Sequence, residues 1–224
     1  MINALEEDEG WGFSAITFLE IHGLEQYFHR GEVLWSEHID ELRQIINDES
    51  YTYDFQTDYK HSTAKTMPRI HRQSIIIMLY SLVETKHLKL CKILENANDV
   101  SSNTKTIRSK DLHGSGIERS MKYLTHCIGI DRTKINSEWI VLTELSNVRN
   151  SLVHQTTDEK KIKAVKQAYK KYSSNSVDEI TEEFVDKMLS EMDVYFNKLV
   201  SVLNEQLEKL AKEEEALATS MLGN

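Results

Sequence analysis

Arg149, Asn150 and His154 lie within residues 148–155, VRNSLVHQ, and carry the groups needed to work on a phosphodiester. A histidine of near-neutral pKa can move the proton of a ribose 2′-OH or of a leaving oxygen. An arginine can hold the phosphate and stabilise charge in the transition state. The chemistry this allows is attack of a 2′-OH on its own phosphate, leaving a 2′,3′-cyclic phosphate and a 5′-OH, with no metal or other cofactor required. Asn150 can orient the imidazole or bind a phosphate oxygen. Spacing alone leaves a plainer reading open, an arginine paired with a carboxylate and a histidine whose charge suits a helix C-terminus.

Five residues of an ideal helix turn through about 500°, so Arg149 and His154 project about 140° apart. Asn150 and His154, four apart, share a face. A common site therefore needs an arginine that curls back, or a helix that ends near His154.

The elements around the motif read as helices. With one proline and eight glycines, the chain is poor in turn-formers, which predicts an all-α bundle of about five to seven helices. Residues 11 to 46 form a packing helix, bent or broken near Gly23 and Gly31, with Phe18, Ile21, Leu24, Tyr27 and Phe28 at helical spacing. Residues 49 to 66 read as a loop, and Pro68 suits the first turn of the helix after it. That helix, residues 68 to 96, is apolar over a wide arc through Ile75, Leu79, Leu82, Val83, Leu90 and Leu94, as expected of an enclosed central element. A second loop covers 97 to 116, and the next helix ends near Gly129. The motif helix spans about 134 to 155 with an apolar stripe of Val141, Leu145, Val148 and Leu152. After the lysine-rich DEKKIKAVKQAYKKY, Ser176 and Glu179 offer a capping box for a long C-terminal helix from about 177 to 218. Ile180, Phe184, Met188, Tyr195, Leu199, Val202 and Leu210 give that helix its apolar face.

The run WIVLTELSNVRNSLVH resembles the HEPN superfamily, whose mark is an arginine, often followed by a polar residue, with a histidine four to six residues beyond. IIIMLYSLVETKHLKLCKIL looks like the central helix that precedes the motif in bacterial HEPN proteins, and GIERSMKYLTHCIGI like the helix between them. The resemblance covers residues 68 to 156 of a single domain spanning 1–224. It leaves 1–66 as an N-terminal helical extension and 177–224 as the C-terminal helix. It implies a homodimer whose motif helices meet across a cleft, and a metal-independent endoribonuclease of toxin–antitoxin or anti-phage defence systems. Arg149 and His154 then correspond to the catalytic pair and Asn150 to its polar companion. A two-fold would let residues of both protomers face one cleft. Some HEPN proteins lack nuclease activity, so a helical module that binds a partner protein, such as an antitoxin, or that binds RNA without cutting it, remains an alternative.

Other residues have two readings each. Glu84 lies on an arc with Tyr80 and Cys91, where it either orients Arg149 or is a structural or solvated carboxylate. Lys160, Lys161, Lys163, Lys166, Lys170 and Lys171 either track an RNA backbone or form a solvated face. His22 and His29 share a face but lack an accompanying carboxylate or thiolate pattern, so they are expected to be surface or packed residues and no metal is expected. Gly114 and Gly116 lack the lysine and strand of a phosphate loop and read as a turn.

The net charge of -9 argues against a protein that coats nucleic acid over a broad surface, although a small basic site remains compatible with it. Cys91 and Cys127 suggest neither a disulfide framework nor a thiolate zinc site, which fits a reducing cytoplasm. The acidic N-terminus is unlike a signal peptide and no apolar run is of bilayer length, so no membrane association is expected.

Overall fold

A computed structural model describes residues 12–47, 55–101, 107–114, 116–154, 158–174 and 179–222. These form an all-α bundle, with six α-helices among the described residues. They are α1 (Phe13–Ile46), α2 (Phe55–Ser101), α3 (Gly116–Tyr123), α4 (Asn136–His154), α5 (Glu159–Tyr172) and α6 (Glu182–Leu222), and α6 is the expected long C-terminal helix. None of the described helices is long and apolar enough to cross a membrane.

The chain packs as two compact units, one of residues 1–20, 81–141 and 191–224, the other of 21–80 and 142–190. In the first, Val83, Leu90, Leu94, Leu124, Ile135, Leu199 and Leu203 are wholly buried, and Phe13 meets Phe196 edge-on at 6.4 Å. Each such aliphatic side chain stabilises the fold by about 1.5–3 kcal/mol through the water it excludes. Lys86, also buried, is neutralised by Glu20 at 2.9 Å. After α3 the backbone widens into a π-helical turn, Leu124–Ile128, and stops at Gly129 (φ 85°), as expected; Gln206 donates to the Ile128 carbonyl at 3.2 Å.

In the second unit, Phe28, Ile75, Ile76, Leu79, Leu142, Leu145, Val148, Phe184 and Met188 are wholly buried. Tyr169 and Tyr172 of α5 stand edge-on to Phe184 at 5.4 and 6.0 Å. Along α1, Ile21 and Phe28 take the buried line seven residues apart. Phe18 and Tyr27 fall off it and are about half exposed, contrary to the register expected of them.

Several boundaries differ from those expected. α1 runs unbroken through Gly23 and Gly31. Gly31 is instead a point of close approach, because a Cβ there would lie 2.2 Å from His71 Nε2. The stretch 55–66, expected as loop, is helical, and Pro68 lies inside α2 rather than in a first turn. Proline removes one helix hydrogen bond at that point. Contacts with α1 hold α2 there, since His71 Nε2 lies 3.2 Å from the Phe28 carbonyl and Arg72 pairs with Glu32 through two hydrogen bonds. α2 also continues to Ser101, past the expected end. Ser176 is outside the described residues, and α6 starts later than expected, with the Thr181 hydroxyl capping it by accepting the Phe184 N–H at 3.1 Å.

Candidate functional site

Burial positions α4. Val141, Leu145 and Val148 are buried on one stripe and Leu152 is half buried, which fixes how the helix is rotated. The entry is a 3-10 turn, Arg132–Ile135, capped by Asp131, whose carboxylate accepts the Thr133 N–H at 2.9 Å and its hydroxyl at 2.6 Å. These two bonds hold the Asp131 carboxyl below its usual range.

Arg149 leaves the edge of that stripe, half buried. One terminal nitrogen donates to Asn150 Oδ1 at 2.9 Å, and the guanidinium carbon stands 5.2 Å over the ring of Tyr80 on α2. The Tyr80 hydroxyl accepts from Ser146 Oγ at 3.1 Å, so that ring is anchored one turn before Asn150. Arg149 Nε is buried and has no hydrogen-bond partner among the described residues. A buried donor without an acceptor is uncommon and costs about 1–3 kcal/mol. The arrangement is a guanidinium fixed on two sides with donors left for an anion, as a phosphate requires. With Asn150 Oδ1 engaged, its amide NH2 is the group it can offer an incoming oxygen.

His154 is exposed and is the last residue of α4. The helix keeps its α geometry to that point, so within one chain Arg149 and His154 leave it about 140° apart. The fold thus brings Arg149 and Asn150 together, whereas His154 shares a face with Asn150 one turn on. Beneath that end of α4, Ser151 donates to the Val148 carbonyl at 2.8 Å. Burial pushes the Tyr169 phenol of α5 up to about 12, and a hydrogen bond with Ser151 offsets part of the rise.

Glu84 belongs to the other unit, half buried on α2 with its Oε1 beside Gly116. Among the described residues the Arg149 guanidinium is partnered by Asn150 and Tyr80 and by no carboxylate. Lys160, Lys161, Lys163 and Lys166 are exposed on α5, whereas Val165, Ala168, Tyr169 and Tyr172 are buried. Asp158 caps that helix by accepting the Lys160 N–H at 3.0 Å and the Lys161 N–H at 3.4 Å. Lys171 and the Tyr172 hydroxyl both donate to Glu144 of α4, the lysine at 2.8 Å. Sequence reasoning missed Tyr80 as the platform for Arg149 and Ser146 as its anchor. Tyr80 was visible only as a helical neighbour of Glu84, and pairing across two helices leaves no spacing signal.

Comparison of the chain with protein-family models, with curated proteins and with solved structures finds no match.

Proposed function

We propose that this chain is a metal-independent endoribonuclease of the HEPN type, acting as a homodimer. The observation that carries the reading is the Arg149 guanidinium, held between Asn150 and Tyr80 with a buried donor unpartnered, on the helix that ends in an exposed His154. Arg149 binds the non-bridging oxygens of an RNA phosphate. The 2′-oxygen attacks phosphorus, its proton passes to a base, the bond to the 5′-oxygen breaks, and an acid protonates the leaving oxygen. His154 serves as base or acid in this sequence, and a second copy of the chain supplies a second imidazole for the other role. The products are a 2′,3′-cyclic phosphate and a 5′-OH.

The biological setting that suits such an activity is a toxin held by an antitoxin, or an anti-phage defence protein. Expression of the wild-type chain should then arrest growth with degraded RNA, and His154→Ala should relieve the arrest at equal protein level. Arrest that persists with His154→Ala overturns the reading.

The exposed lysines of α5 favour a second reading, RNA binding without cleavage. In that case no cleavage is seen. Salt-dependent RNA binding then survives His154→Ala and weakens when Lys160, Lys161, Lys163 and Lys166 are replaced by alanine.

A further inference from the structure

We propose that His29, Glu182 and Asp186 form a binding site for a divalent transition ion of the Zn2+ class, separate from the Arg149–His154 site. Their three ligand atoms lie within 4.8 Å of one another, the imidazole from α1 and both carboxylates from the first turns of α6. Glu182 and Asp186 are four apart and share a helix face, so one turn of α6 presents both to the facing helix.

The spacing of His29 and Asp186 leaves room for a shared ion. His29 Nε2 and Asp186 Oδ1 are 3.5 Å apart, longer than the 2.7–2.9 Å usual for a charge-assisted bond. It is close to the edge of a tetrahedron, about 3.4 Å, built on zinc bonds of about 2.0–2.2 Å. Asp186 Oδ1 is buried and makes no hydrogen bond among the described residues, so an ion would satisfy it.

Glu182, Glu25 and Glu32 act on Asp186 as negative charges, with His29 opposing them. Of the cations that line the neighbouring cleft, Arg72 is bound twice to Glu32 and Lys171 to Glu144. The positive end of α6, worth about half a charge, opposes a cation, but two carboxylates outweigh it. Imidazole with two carboxylates suits zinc, manganese or cobalt better than magnesium, which prefers all-oxygen ligands. Glu182 and Asp186 also line a cleft of about 1010 Å3 with Arg72, Lys170, Lys171 and Lys187, so solvent reaches the two carboxylates from that side.

The test is titration of the full-length protein, stripped of metal, with Zn2+ by calorimetry and by thermal melting, without RNA. The expected result is one Zn2+ per chain and a raised Tm. Both should weaken at least tenfold in Asp186→Asn and His29→Gln and be retained in His22→Gln, whose imidazole turns to Glu25 at 2.9 Å. Mg2+ should bind far more weakly than Zn2+. Absence of stoichiometric Zn2+ binding, or binding undiminished in both Asp186→Asn and His29→Gln, overturns the proposal.

Discussion

His87 and His154 carry the same imidazole into opposite surroundings. His87, on α2, is wholly buried, with Nε2 2.6 Å from the Tyr195 hydroxyl and its ring stacked on that tyrosine at 5.6 Å. Burial brings its pKa down to about 4, and its Nδ1 has no hydrogen-bond partner among the described residues. His154 ends α4 in the open. A buried imidazole held neutral by desolvation can specify packing but cannot meet a substrate. An exposed one can. Position in the fold, more than residue type, decides whether a histidine is open to a substrate.

The largest effect that would break this comparison lies at the exposed histidine. His154→Ala should lower RNA cleavage by about 10²–10⁴-fold, the usual contribution of a proton-transfer group, and leave Tm nearly unchanged because the side chain is exposed. Equal cleavage by wild type and variant would make the two histidines alike in having no chemical role.

Acid should act mainly through the buried one. The folded-state pKa of His87 is about 4 and the unfolded value is about 6.5. Above about pH 6.5 both states are neutral there and the group adds no pH dependence. As pH falls below that, the unfolded state takes up the proton first, so stability drops, by about 3 kcal/mol once pH nears 4. Urea titrations between pH 7 and 4 should show this loss, and His87→Gln should flatten that part of the profile. An unchanged slope would mean that His87 is not buried neutral.

Tyr195→Phe removes the partner of His87 Nε2 and should cost about 1–3 kcal/mol, read from the urea midpoint at pH 7. A smaller change is expected at Tyr80. Tyr80→Leu keeps apolar bulk but removes the ring beneath Arg149 and the Ser146 bond. About 1 kcal/mol of cation–π attraction corresponds to about a fivefold loss of RNA cleavage, to be measured at subsaturating RNA.

Much of the helical layout could be read directly. Ile75, Leu79, Val83, Leu90 and Leu94 declare the central helix by spacing, and all five are wholly buried. The start of α2 was hidden because residues 55–66 are polar and Pro68 looks like a boundary. The fold overrides that signal with contacts at Phe28 and Glu32, distant in sequence. Ser176 and Glu179 spell a capping box, and such a signal does not mark Thr181, whose hydroxyl accepts the Phe184 N–H. At the site, Arg149, Asn150 and His154 were legible as types and spacing. The Tyr80 platform and the trio of His29, Glu182 and Asp186 were not, because each joins helices far apart in the chain.

The most direct measurement is cleavage of total RNA and tRNA in EDTA by the purified protein, beside folded Arg149→Ala and His154→Ala variants, with analysis of the product ends. Cleavage by the wild type alone, leaving 2′,3′-cyclic phosphate and 5′-OH ends, is the predicted result. Failure of the wild type to cut, or equal cutting by all three, would contradict an active site at Arg149 and His154.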